Sequence, residues 1–138
     1  MVDEIMPPII GTAMRCMTSE PVPVLHVTVS RHRSRVPRPV GVKIHYGDVT
    51  STERQSGTTN ALRTVVDCAR TCPIPQSLAI ADTAIRTGLV TARELRRAVA
   101  PLRGAGVVST RRVAGWVAAR AASPLESALR GLVRDHGI

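Results

Sequence analysis

The chain has 138 residues and a mass of 14.8 kDa, enough for one domain or one domain and part of another. A hydrophobic share of 43% argues against wholesale disorder. The absence of Phe, with one Trp and one Tyr, excludes a base-stacking platform of the RRM type, which needs several exposed rings. The 19 basic residues outnumber the 10 acidic ones for a net +9, and all the basic residues but Lys43 are arginines. The excess is uneven. Residues 1–30 carry one basic and three acidic groups, whereas residues 31–138 carry 18 and 7. A field of that sign favours polyanions.

Residues 1–21 show no clean period, with Pro7-Pro8 interrupting their apolar stretch, and are expected to form a poorly ordered arm. Val24 to Val29 is β-branched and alternating and reads as a strand, and Val40 to Tyr46 reads as its partner. The Ser30–Pro39 segment between them holds prolines and charges, so the pair is expected to form an antiparallel hairpin with a long basic tip. From Asn60 the periodicity is helical. Leu62, Val65, Val66 and Ala69 form the first stripe. A second helix from about Pro75 to Thr87 points Leu78, Ala81 and Ile85 inward, with Gly88 at C′. The Thr91-x-x-Glu94 capping box opens a third, which buries Leu95, Ala98, Val99 and Leu102 and ends near Pro101. A fourth, near 107–121, buries Val113, Trp116 and Val117. A fifth opens with Ser123-Pro124-Leu125-Glu126 and carries the stripe Leu125, Leu129, Leu132 and Val133. That stripe is expected to fold back on the fourth helix, giving a monomer, with a weak homodimer as the alternative. The fold class is therefore α+β, a small antiparallel β-hairpin followed by a bundle of about five helices.

Hydrolytic nuclease or glycosidase chemistry needs carboxylates converging on one spot. Asp48, Asp67, Asp82, Glu94 and Glu126 are scattered among arginines and caps, and no G-x-S-x-G, H-E-x-x-H or P-loop is present. No catalytic residue, metal or cofactor is assigned. His26 and His45, on the two strands, are two residues short of a metal set. Cys16, Cys68 and Cys72 make neither a disulfide framework nor a zinc set and read as reduced thiols. The acidic start lacks the basic region of a signal peptide, and the longest uncharged run, Thr71–Ala81, is too short to span a bilayer, so a cytoplasmic protein with no membrane association is expected. Two basic blocks are the sharper features. Arg31, Arg33, Arg35, Arg38 and Lys43 lie in residues 31–46 without one acidic residue, and guanidinium forks bind phosphate oxygens in pairs. Residues 86–120 hold eight arginines against Glu94; Arg111 and Arg112 follow Ser109-Thr110, which reads as a helix cap where phosphate meets backbone amides.

Several stretches together resemble one family. They are His26–Val29, the arginine loop, Gly41–His45 and Gly47–Val49; Ala61–Arg70 with Arg63, Thr64 and Asp67; Ala81–Arg86; the Gly88–Leu95 turn; Leu102–Gly104; and Ser123–Ser127 with Ser123 and Glu126. Their order and spacing over residues 22–138 resemble actinobacterial-type proteins that join an AbiEi-like antitoxin region to a Vsr-like endonuclease domain. The resemblance implies an AbiEi-like middle domain over 22–121 and the first helix of an endonuclease-like domain over 122–138, after the 1–21 arm. In the family a winged helix-turn-helix precedes the hairpin, and later strands supply the nuclease's metal ligands. Here the first 21 residues do not resemble a winged helix, only Glu126 maps onto the nuclease, and about two residues are missing between Gly57 and Arg63. The resemblance therefore implies a truncated, non-catalytic nucleic-acid-associated or regulatory module that binds DNA weakly and without sequence preference. Its alternatives are one half of a split DNA endonuclease, completed by a complementary fragment, and an antitoxin-like module masking a toxin.

Overall fold

The computed structural model describes residues 25–118 and 120–138. The fold is α+β, and its described residues form two strands and six helices. The chain divides into two compact units, Met1–Asn60 and Ala61–Ile138. The expected N-terminal arm lies outside the described residues.

In the first unit, β1 (Leu25–Ser30) and β2 (Val42–Gly47) pair from Leu25 opposite Val42 to Ser30 opposite Gly47. The pairing is parallel, which corrects the expected antiparallel hairpin. Alternation of side chains reveals a strand but not its direction. The 11 residues between the strands reach at most about 36 Å when extended, ample to run back along a six-residue strand of about 20 Å. Two turns pin this crossover: the Arg33 amide donates to the Ser30 carbonyl at 3.1 Å, and the Val42 amide to that of Pro39 at 3.2 Å. The second turn puts Gly41 at its third position with φ +79°, a conformation that favours glycine. Val40, expected on the strand, stands fully exposed before it.

A short helix, α1 (Ser51–Ser56), follows β2. Thr50 caps it, with its hydroxyl accepting from the Glu53 amide at 3.2 Å while the Glu53 carboxylate accepts from the Thr50 amide at 3.0 Å. Gly57 closes it in the left-handed region.

The second unit holds α2 (Ala61–Thr71), α3 (Ile74–Arg86), α4 (Ala92–Val99), α5 (Val107–Trp116) and α6 (Pro124–His136). Its core is aliphatic and built from small residues: Val65, Val66, Ala69, Leu78, Ala79, Ala81, Leu95, Val99 and Val113 are buried. The helix ends follow the sequence closely. Pro75 lies in the first turn of α3, and Gly88 ends it in a Schellman arrangement, donating to the Ile85 carbonyl while Leu89 donates to that of Ala84. The Thr91–Glu94 capping box opens α4, and Ala100 and Pro101 terminate it. Helix α5 stops at Trp116 rather than running to 121, and Trp116 and Val117 are half-buried rather than core residues. Its N-cap, Gly106 at φ +75°, packs so closely on α2 that a Cβ there would meet the Arg70 carbonyl oxygen at 2.5 Å.

Helix α6 corrects the expected fold-back. It packs on α3 with its small-residue face, burying Ser127 and Gly131, while Leu125, Leu129 and Leu132 stay exposed and Val133 sits at the edge of exposure. A Cβ on Gly131 would lie 2.9 Å from Pro75 Cα, so the two helix backbones touch there. A second tie fixes the pair. Asp82, on α3 and buried, accepts a hydrogen bond from the Ala118 amide at 2.8 Å and forms an ion pair with Arg130 of α6. Close backbone approach and a buried ion pair, neither visible as an apolar stripe, decide which face turns inward.

Candidate nucleic-acid interface

The loop joining β1 to β2 presents Arg31, Arg33, Arg35 and Arg38, all exposed, and Lys43 projects from β2 beside it. Arg31 reaches the Asp48 carboxylate at 3.6 Å, with both side chains well exposed. Such a pair in water contributes about 0–1 kcal/mol. It therefore orients the guanidinium without holding it against a phosphate competitor. Pro37 and Pro39 fix φ at two points and stiffen the loop. His26 stands opposite Lys43 and His45 opposite Thr28, so the two histidines are offset along the sheet instead of paired.

The second basic block is placed differently. Helix α4 ends at Val99, just before Ala100 and Pro101, which leaves carbonyls without intrahelical partners in the turn that follows. Arg111 donates to the Ala100 and Leu102 carbonyls at 3.4 and 3.2 Å. Arg70 reaches the Ala105 carbonyl at 3.1 Å and that of Arg103 at 3.3 Å. Arg96 donates to the Ala114 carbonyl at 3.3 Å, Arg112 pairs with Asp135 at 3.4 Å, and Arg134 lies over the Trp116 ring with its guanidinium 5.8 Å from the centroid. These forks complete helix ends and cross-brace helices. Ser109 and Thr110 are not the cap expected of them. Gly106 is the N-cap, Thr110 is fully buried, and its hydroxyl donates to the Gly106 carbonyl at 2.7 Å. The structure thus keeps Arg31, Arg33, Arg35 and Arg38 on one loop and ties Arg111 and Arg112, which are exposed as well, to carbonyls and a carboxylate of neighbouring elements.

The residues singled out by the resemblance occupy structural positions. Arg63 pairs with Asp67 at 2.9 Å along α2, one turn apart, with Thr64 half-buried on the same helix. Ser123 caps α6, its hydroxyl accepting from the Glu126 amide at 3.2 Å. The Glu126 carboxylate accepts not from the Ser123 amide, as a closed capping box requires, but from the Ala122 amide one residue earlier, at 2.8 Å. At α4 the box is closed, and hydrogen bonds from the Thr91 hydroxyl and amide hold the Glu94 carboxyl below its ordinary value of 4.5.

Two features escaped sequence reasoning. One is the Asp82–Arg130 tie. Its partners are 48 residues apart, so no local spacing signals it. The other is the placing of Cys68, buried, and Cys72, half-buried, one turn apart at the C-terminal end of α2, where the Cys72 amide donates to the Cys68 carbonyl at 2.8 Å. Their i, i+4 spacing was the available signal. The Cys68 thiol is pushed well above its ordinary value, first by its hydrogen bond with Cys72, then by burial and by the charges of Cys72 and Asp67. Among the described residues no three His, Cys, Asp or Glu side chains gather to hold a metal ion, and no helix is long and apolar enough to cross a membrane.

No protein-family model matches the chain, and no solved structure matches it significantly. Two uncharacterized proteins of Mycobacterium tuberculosis, one from strain CDC 1551 and one from strain H37Rv, are similar to it. Each is 34% identical over 102 residues, which is 72% of this chain. The chain spans 38% of the length of these relatives.

Proposed function

We propose that this chain is a non-catalytic, nucleic-acid-associated module that grips the phosphate backbone of duplex DNA through the arginine loop between β1 and β2. The observation that carries this reading is the grouping of four exposed arginines on one proline-stiffened, acid-free crossover, with exposed Lys43 following it on β2. Guanidinium groups there meet phosphate oxygens in pairs, which gives affinity without reading bases. Binding is weak, salt-sensitive and indifferent to sequence. The family setting of the proposal is the AbiEi-like resemblance of residues 22–138.

The non-catalytic part of the reading draws on how the carboxylates among the described residues are used. Asp48, Asp67, Asp82 and Asp135 are in ion pairs, and Glu53, Glu94 and Glu126 serve as helix caps. Hydrolysis of a phosphodiester by metal ions needs several carboxylates turned to one point, and here each is turned to its own partner.

Fluorescence anisotropy with a duplex oligonucleotide over a range of salt tests the proposal. Replacing Arg31, Arg33, Arg35 and Arg38 together with Ser should weaken binding and flatten the log K against log salt slope by about 0.9 for each phosphate that is no longer neutralised. An unchanged slope would show that the loop does not touch phosphate and would overturn the reading.

A further inference from the structure

We propose that Cys68 and Cys72 form a peroxide-sensitive dithiol, oxidised reversibly to an internal disulfide at the α2–α3 junction. Two observations place the cysteines side by side. The Cys72 amide donates to the Cys68 carbonyl at 2.8 Å, so helical geometry continues through Cys72 and both side chains share one face. The buried Ser77 hydroxyl donates to both residues' carbonyls, to Cys68 at 3.1 Å and to Cys72 at 3.2 Å, which fixes the two backbones relative to each other. A helical i, i+4 pair sets Cβ atoms about 5–6 Å apart, and a disulfide needs about 3.5–4.5 Å, so the backbone must close by an ångström or two. Cys72 lies one residue past the end of α2, where the chain turns toward Pro73, so the closure loosens the Ser77 bond to the Cys72 carbonyl rather than the helix itself.

Exposure assigns the roles. Cys72 is half-buried, and its sulfur lies 4.0 Å from the Thr71 hydroxyl, whereas Cys68 is 4% exposed. The Cys72 thiolate attacks a hydroperoxide; the O–O bond breaks, Cys72 becomes a sulfenic acid, and the alkoxide leaves and takes up a proton to become the alcohol. The Cys68 sulfur then attacks the Cys72 sulfur. The S–O bond breaks, and the departing hydroxide leaves as water with the Cys68 proton. Two thiols lose two electrons and two protons in all, and the hydroperoxide is reduced to an alcohol and water.

Arg70 lies between the two cysteines, which provides a direct readout. Trypsin separates them in the reduced chain, into Thr64–Arg70 and Thr71–Arg86, and leaves the two peptides joined when a disulfide links them. The full chain carrying Cys16→Ser would be exposed to hydrogen peroxide, alkylated, digested and weighed. The expected result is a joined peptide lighter than the sum of its parts by two hydrogens, with both thiols lost together and restored by a dithiol reductant. With Cys68→Ala added, Cys72 should instead accumulate as a sulfenic acid trapped by dimedone. Conversion of Cys72 to sulfinic acid while Cys68 still alkylates, or disulfides between two chains in place of the internal one, would overturn the proposal. The first arm needs no core substitution, so it stands whether or not the Cys68→Ala chain folds.

Discussion

Replacing Asp82 tests whether the α3–α6 pair is held by the ion pair or only by backbone contact. The Asp82 side chain is 3% exposed and that of Arg130 23%, and Asp82 also accepts from the Ala118 amide. Removing one partner of a buried pair costs about 3–5 kcal/mol. Partial access of water to Arg130 puts this case at the low end, about 3 kcal/mol, and the orphaned Ala118 amide adds about 1 kcal/mol. Asp82→Ala should therefore destabilise the protein by about 4 kcal/mol, a fall in Tm of about 16–32 °C at roughly 4–8 °C per kcal/mol for a unit of this size. Thermal and urea unfolding followed by far-UV circular dichroism would measure it. The Arg130 Nε is buried without an acceptor, so Arg130→Met relieves one cost as it creates another. In the double variant Asp82→Asn/Arg130→Met, the asparagine oxygen still accepts from Ala118 and no charge is left buried. It should recover to within about 1 kcal/mol of wild type, because a buried ion pair replaced as a whole is near neutral. A loss below about 1 kcal/mol for Asp82→Ala, or a double variant no better than the single one, would refute this account of the interface.

Other substitutions probe the same surfaces. Gly131→Ala gains about 1 kcal/mol of helix propensity but drives a Cβ to 2.9 Å from Pro75 Cα, and overpacking costs about 1–3 kcal/mol, so urea unfolding should show a net loss. Leu129→Glu, on the exposed face of α6, should change stability by no more than about 0.5 kcal/mol by the same measurement. Glu94 has its folded value depressed, so its contribution is present above 4.5 and is lost as pH falls through the depressed value. The stability difference between wild type and Glu94→Gln should accordingly be constant above that pH and shrink on acidification. In Thr91→Ala, which loses the hydroxyl and keeps the backbone amide, an NMR titration of Glu94 should move part of the way back to the ordinary range.

The sequence made the helical unit legible where punctuation is local. Thr91-x-x-Glu94, Pro101, Ser123-Pro124 and Gly88 each act within one turn, and each stands where its chemistry requires. The same signal was available for α1, since Thr50-x-x-Glu53 followed by Gly57 repeats the start-and-stop grammar of a helix, but its six residues hold no apolar stripe to attract notice. Strand direction was not legible, because alternation with period two is the same for parallel and antiparallel pairing. Nor was the inward face of α6. An apolar stripe predicts burial when burial of side chains is what holds the helix, and here the hold comes from Gly131 against Pro75 and Arg130 on Asp82. The arginine loop was legible as a basic, proline-broken segment, while its course as a crossover between parallel strands depended on pairings that no local pattern reveals.

The two basic blocks have similar composition and different surroundings. A guanidinium has five donors and no acceptor, so it seeks oxygen wherever oxygen is unpaired. After α4, the proline stop leaves carbonyls at Ala100, Leu102, Arg103 and Ala105 outside the helical ladder, and Arg70 and Arg111 are drawn to them. Around residues 31–41 no helix ends and the carboxylate that Arg31 reaches, Asp48, is itself in water, so the arginines there stay at the surface. Net charge counts the two blocks alike, yet a phosphate can engage the loop without first breaking the bonds that brace the helices. Neutralising the loop should therefore alter binding and leave the helices intact. Neutralising Arg70 and Arg111 removes supports of the α4–α5 connection before any effect on binding can be read.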